Sequence, residues 1–345
     1  MSQIDIKLLK KLSEASGVSG HEDEVREIIK KEIEAYADNI EIDVLGNLIA
    51  FKKGSSKRRK KISLVAHMDE IGFVVKRVEK GFVEFLKIGG IDDRILPGSK
   101  VLIKSKEPII GAIGIKPVHL LKEEERKQSV KCEDMYIDIG AGEKDKIKIE
   151  KGTQICFYSE FKQMQKDTYI GKAFDNRLGV YCLIDILKRI KKPEHDLYFV
   201  FSVQEEVGLK GARTAIYKIE PDLAIIIDTT PAGDVPVISK KETETSLGKG
   251  VAIDLIEARG AGAILPEKLK KFIIDLAKKH KIKYQVEVVD AGVTDAAITQ
   301  LTKNGILSGS LCIPVRNIHT PNEIFNVKDL EETIKLGELI IKTWK

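Results

Sequence analysis

The chain has 345 residues, with 58 lysines and arginines against 53 aspartates and glutamates, for a formal charge of +5. That length passes the roughly 250 to 300 residues at which a single hydrophobic core stops growing, so a main domain with a second module is expected. So small a charge excludes a dedicated nucleic-acid binder, and no apolar run reaches membrane-spanning length. The N-terminus lacks the basic-then-apolar layout of a signal peptide, and the four cysteines (Cys132, Cys156, Cys182, Cys312) are scattered without CxxC spacing. A protein of the reducing cytoplasm, with no membrane or nucleic-acid partner, is expected.

In chain order, Ile4 to Ala15 and Glu22 to Ala37 read as amphipathic helices, the second carrying Val25, Ile28, Ile29 and Ile33 on one face. Ser19 followed by Glu22 has the spacing of a capping box at its start. Ile40 to Val44 and Leu48 to Lys52, joined by Gly46-Asn47, predict a hairpin, and Ile62 to Ala66 a further strand. The basic run Lys52 to Lys61 lacks interleaved aromatics and reads as a solvated loop.

From Ile71 to about Phe161 the texture changes to short strands: Gly72 to Val78, Phe82 to Lys87, Lys100 to Ser105, Ile109 to Ile115, Met135 to Ile139 and Gln154 to Tyr158. Turn pairs separate them and no long helical pattern intervenes, which predicts a small barrel-like all-β insertion. Beyond it the chain alternates. Helices are predicted at 176–190, 210–218, 266–281, 295–303 and 328–342, and strands at 197–203, 223–228, 284–289 and 307–313. Such alternation indicates an α/β layer structure.

The acids and histidines of the α/β part fall at element ends. The apolar strand Leu197 to Val203 stops on Glu205-Glu206-Val207-Gly208, and ligands of open α/β sheets gather beyond the carboxyl ends of strands. His67 ends another apolar run, and Asp69 two places on can point the same way and fix its tautomer. Asp175 sits where a helix begins and could equally be its N-cap. Asp228 closes Leu223 to Ile227, where an unpaired carboxylate would be costly, and His319 follows a further apolar strand. His21, His195 and His280 stand in charged surroundings and read as surface residues, and nothing is assigned to His119. Two histidines and three carboxylates, one shared, suit a pair of closely spaced divalent ions bound by nitrogen and oxygen. HExxH, GxSxG, the P-loop and a strand-following GxGxxG are all absent.

At this point the chain resembles the M42 metallo-aminopeptidases, the tetrahedral (TET) enzymes related to glutamyl and leucyl aminopeptidases. The matching segments are Ala66-His67-Met68-Asp69-Glu70-Ile71-Gly72, Gly171-Lys172-Ala173-Phe174-Asp175-Asn176-Arg177, Gln204 to Ala212, Ile227-Asp228 and Ile318-His319-Thr320-Pro321. The resemblance implies an α/β fold, a three-layer mixed-sheet metallopeptidase domain (1–70 and 162–345) with an inserted all-β barrel-like dimerisation domain (71–161). It implies two divalent ions, zinc or cobalt: His67, Asp175 and Asp228 on one side, Glu206, His319 and the bridging Asp175 on the other. Glu205 would be the general base and Asp69 would orient His67. The partners implied are peptides with a free N-terminus and further copies of the chain, as a dimer or a tetrahedral dodecamer. Many relatives carry Gly-Gly-Thr-Asp where this chain has Gly292-Val293-Thr294-Asp295, and Asp295 could serve as a helix cap.

The mechanism implied is removal of the N-terminal residue by a water held between the two ions, with Glu205 taking its proton. Two other readings compete. Paired carboxylates also serve glycoside hydrolases, although adjacent residues pointing apart suit that chemistry poorly and leave the histidines without a role. A noncatalytic peptide-binding scaffold is the third.

Overall fold

The computed structural model describes residues 4–145, 147–239 and 241–345. Helix α1 (Ile6–Glu14) is capped by Asp5, whose carboxylate accepts from the Lys7 and Leu8 amides, and α2 (Asp23–Ile33) follows. The capping box expected at α2 does not form. Glu22 occupies the cap position without a side-chain cap bond, and the Ser19 hydroxyl donates to Asp69 instead, at 2.6 Å. Glu22 Oε1 accepts from the Gly20 and Gln204 amides, so tertiary partners take both side chains that local spacing assigned to the helix end.

Strands β1 (Asn39–Ile42) and β2 (Leu48–Lys52) form the expected hairpin, and β3 (Lys61–His67) follows. The chain then enters β4 (Gly72–Glu79), β5 (Phe82–Ile88), β6 (Lys100–Ile103), β7 (Ile109–Gly114), β8 (Tyr136–Asp138) and β9 (Gln154–Phe157). These six close into an antiparallel barrel in the order β4-β5-β8-β7-β6-β9. Closure leaves no sheet edge, and inward residues such as Phe73, Val75, Val83, Val101, Ile103 and Ile155 form a core of their own.

The second sheet gathers its strands from both sides of this barrel. After β10 (Lys162–Gln163) and β11 (Thr168–Gly171) come α3 (Phe174–Arg189), β12 (Asp196–Ser202), α4 (Lys210–Ile219), β13 (Leu223–Pro231), β14 (Val251–Ile256) and α5 (Glu267–Lys279). The chain finishes with β15 (Tyr284–Val288), α6 (Asp295–Gln300), β16 (Ser308–Arg316), β17 (Glu323–Asn326) and α7 (Val327–Thr343). The sheet has 11 strands, its main path running β1-β2-β12-β3-β13-β16-β17-β11-β10, with β14 paired to β16 and β15 to β14. Strands β12, β3, β13 and β16 are parallel, and β2, β14 and β17 join them antiparallel.

The period of two along a strand sorts these central strands between the two faces. Ile62, Leu64 and Ala66 of β3, Leu197, Phe199 and Phe201 of β12, and Leu223, Ile225 and Ile227 of β13 enter the large core with residues of α1, α2, α3, α5 and α7. Val65, Val200, Ala224 and Ile226 face the smaller core with Ala212, Ala215 and Ile216 of α4 and Ala296 of α6. Helices on both faces of a mixed sheet make the three-layer α/β architecture, with the barrel inserted. Continuing the alternation, His67 falls in phase with Val65, and Asp228 with Ile226, so both belong to the α4 and α6 side. Helix α3 packs tightly on this sheet: a Cβ at Gly179 would lie 2.5 Å from the Ile227 carbonyl oxygen.

Strands β10, β11, β14 and β17 were not anticipated. Three of them are four residues or fewer, and β14 (VAIDLI) lies in a stretch to which the sequence reading assigned no element. His195 is not a surface residue: it is 4% exposed, its Nδ1 accepts from the Lys60 amide and its Nε2 sits 3.0 Å from the Trp344 carbonyl oxygen. All four cysteines are buried free thiols. Among the described residues no helix is long and apolar enough to cross a membrane.

Candidate functional site

The carboxyl ends of the parallel strands open onto a cleft of roughly 380 Å³, and the residues singled out from the sequence meet there. His67 ends β3, where Ser202 of β12 lies beside it in register. Its Nε2 stands 3.2 Å from Asp175 Oδ1 and 3.6 Å from Asp228 Oδ1. On the other side His319 Nε2 stands 3.2 Å from Asp175 Oδ2 and 3.4 Å from Glu206 Oε1. The two oxygens of Asp175 therefore face two different imidazoles. Glu205 and Glu206 both line the cleft, together with Thr229, Thr230, Asp254, Glu257, Val293 and Ile318 among others.

Each side chain is held from behind. Asp175 precedes the regular part of α3 in non-helical conformation, and Ala173 before it is left-handed. Asn176, rather than Asp175, does the capping: its Oδ1 accepts from the Gly179 amide while its Nδ2 donates to the Ile227 carbonyl of β13. Asp175 is thereby released from the helix end to face the cleft. Asp69, fully buried, approaches His67 Nδ1 at 3.5 Å through Oδ1, and its backbone carbonyl comes nearer, at 3.2 Å. The same carboxylate accepts from the Glu205 amide at 3.0 Å, the Glu206 amide at 3.2 Å and the Ser19 hydroxyl. One aspartate thus anchors both the histidine and the turn that carries the two glutamates.

The barrel reaches the site as well. His319 Nδ1 pairs with the Gly90 carbonyl at 2.8 Å, and a Cβ on Gly90 would lie 3.3 Å from that nitrogen. Asp295 is not the helix cap: Thr294 caps α6, and Asp295 is buried and accepts from the Ser202 hydroxyl at 2.7 Å. Sequence reading also overlooked Glu323, 2% exposed, whose two oxygens accept from the Asp175 amide at 3.1 Å and the His319 amide at 2.9 Å. Its nearness in sequence to His319 was a signal, but nothing linked it to Asp175.

The electrostatics are those of anions crowded out of water. Burial pulls the His319 imidazole down, yet Asp175 and Glu206 outweigh it and lift the group to about 12. The same contest raises His67 well above its ordinary value through Asp175, Asp228 and Asp69. Burial pushes Asp175 up, but the two imidazoles win and hold it below the ordinary carboxylate range. Burial raises Glu205 well above the usual range, with Asp295, Asp228 and Glu206 adding to it against His67.

The donor set suits divalent cations. Two ligands of a tetrahedral zinc bonded at about 2.0 to 2.1 Å stand about 3.3 Å apart. The four imidazole-to-carboxylate separations here run from 3.2 to 3.6 Å. Separations of that size are those of imidazole–carboxylate hydrogen bonds, and they also let a divalent cation touch an imidazole and a carboxylate together, with His67, Asp175 and Glu206 the group close enough to share one.

A profile of the M42 glutamyl aminopeptidase family matches residues 46–336, and a family described as AMPT matches residues 4–29. The chain belongs to the M42 family. It is a peptidase, and hence a hydrolase. The lysyl aminopeptidase of Pyrococcus furiosus is 32% identical to this M42 chain over 99% of it and 98% of its own length. The Pyrococcus horikoshii TET1 peptidase, described as able to assemble into a tetrahedron or a large octahedral shell, is 32% identical with a TM-score of 0.86, covering 98% of this chain and 99% of that one. A Thermotoga maritima structure described as an endoglucanase is 36% identical with a TM-score of 0.78, covering 97% of this chain and 96% of its own.

Because Asp69 serves three donors and a histidine at once, Asp69→Ala is expected to cost at least the roughly 1 to 3 kcal/mol of leaving one buried donor unpaired. Urea unfolding measures that cost, and peptidase assays should find activity falling further than stability alone explains.

Proposed function

We propose that this M42 peptidase is an aminopeptidase that removes the N-terminal residue of peptides with two divalent cations, zinc or cobalt, in the cleft. His67, Asp175 and Asp228 would hold one cation, and Glu206, His319 and the same Asp175 the other. The observation that carries the reading is the position of Asp175, with one oxygen 3.2 Å from each imidazole. The cations supply Lewis acidity, acidifying water and polarising the scissile carbonyl. Glu205 takes the proton of the attacking water and returns it to the departing amine. Burial and the neighbouring acids raise this carboxyl, and cations in the cleft would draw it back down. Asp69 keeps His67 aimed and the Glu205-Glu206 turn in place.

We assign residues 1–70 and 162–345 to the catalytic unit and 71–161 to an insertion through which copies of the chain pair. Exposed Leu86, Ile110, Val118 and Leu120 on the inserted unit support self-association. The neighbour described as an endoglucanase raises the glycosidase reading again, but that chemistry needs two carboxyls and gives no work to two imidazoles buried among acids.

Substrate choice follows in part from the lining. Among the described residues no lysine or arginine lines the cleft, while Leu209, Pro231, Val289, Ala291, Val293 and Ile318 do. An acidic side chain would find no counter-charge there. In a panel of aminoacyl p-nitroanilides against the chelator-stripped protein with zinc, cobalt or manganese restored in turn, activity is expected only with cation present, and at least tenfold lower on glutamyl and aspartyl than on leucyl substrates. Cellulose hydrolysis by the stripped protein, with no aminoacyl hydrolysis under any cation, would overturn the reading. Glu205→Gln is expected to bind cations and fold as the wild type does while losing turnover by a thousandfold or more; a near wild-type kcat removes Glu205 from its role. Light scattering should give the mass of a dimer or of a dodecamer, and a monomer at micromolar concentration would refute the assignment of the insertion.

A further inference from the structure

We infer that Glu323 is a positioning residue for the cation centre shared by Asp175 and His319, an inference that rests on the reading above. Asp175 enters from the loop before α3 and His319 from the loop after β16, so no local element sets their mutual distance. Glu323, the first residue of β17, pairs in register with Gly171 of β11, which brings its side chain beside both segments. Its Oε2 accepts from the Asp175 amide at 3.1 Å and its Oε1 from the His319 amide at 2.9 Å. The carboxylate touches neither Asp175's carboxylate nor the His319 ring through any hydrogen bond of its own. It acts on the backbone.

The requirement is for two acceptors in one rigid plane. Two amides converge on one buried group, and only a carboxylate offers each of them an oxygen; a carboxamide satisfies one and turns an N–H toward the other. Leaving a buried donor unpaired, or facing donor to donor, displaces the backbone that carries it. His319 is the more vulnerable partner, because its φ of +60° lies in the left-handed region, which a non-glycine residue keeps only when its surroundings enforce it. Glu323 and the Gly90 carbonyl together supply that enforcement, one at the amide and one at the ring. His67 and Asp228 have other supports, Asp69 for the first and the Thr229 amide bond for the second. Loss of Glu323 therefore weakens one half of the centre more than the other.

The test counts zinc retained per chain during dialysis of the zinc-loaded protein against increasing chelator, with melting of the stripped protein as the control for folding. The wild type is expected to release two ions. Glu323→Gln is expected to release one of them at a chelator concentration at least tenfold lower, the size of effect known for residues behind metal ligands, and to lose the other at a concentration closer to that of the wild type. Glu323→Ala should do the same more strongly. If both variants release both ions at the wild-type concentration, or lose both together in step with melting, Glu323 has no selective role and the inference fails. A wild-type chain that retains no zinc at all would remove the two-cation reading itself, a result distinguishable from either.

Discussion

The organisation of this molecule turns on one carboxylate shared between two imidazoles. Asp175 lies 3.2 Å from both His67 and His319, and around that axis Asp228, Glu206 and Glu205 collect within the same cleft. So many acids withdrawn from water repel one another, and burial pushes each of them toward the neutral form. The arrangement is stable only with positive charge at its centre, whether protons on the imidazoles or the cations proposed above. Much of the surrounding structure is intelligible as the framework that keeps these groups from moving apart.

That framework is built largely from hydrogen bonds to backbone. Asp69 grips the amides of Glu205 and Glu206, Glu323 those of Asp175 and His319, and Glu22 that of Gln204, each a carboxylate that is itself buried. A carboxylate accepting from amides is strongly oriented and ties together segments far apart in the chain. Close by, Lys172 donates to Glu70 at 2.6 Å, with Arg177 near the same glutamate, so the two motif segments that carry His67 and Asp175 are also joined to each other. The barrel takes part too, since Gly90 from its loop meets the ring of His319.

The same physics accounts for where sequence reading went astray. Ser19 and Glu22 had capping-box spacing, Asp175 and Asp295 stood at helix starts, and His195 sat among charges. In each case a tertiary partner competes with the local role and wins: Asp69 takes Ser19, the His67 and His319 imidazoles take Asp175, Ser202 meets Asp295, and the Trp344 carbonyl faces His195. Short strands such as β11 and β17 carry too few residues for alternation to register, and they exist because the neighbouring strand does.

The order of the helices and longer strands other than β14, the change of texture that marks the barrel, and the chemical types gathered at strand ends were legible in the sequence, because periodicity and turn residues are local properties. His67 and Asp228 could be assigned to strand ends for the same reason, and the family motifs named the other members of the set. Only the tertiary structure decided which oxygen of Asp175 faces which histidine, that Asp69 serves the turn as well as His67, and that Glu323 belongs to the site at all. Those are distances between segments more than a hundred residues apart in the chain. No local rule of sequence can set a separation that depends on how a whole sheet and an inserted barrel pack around it.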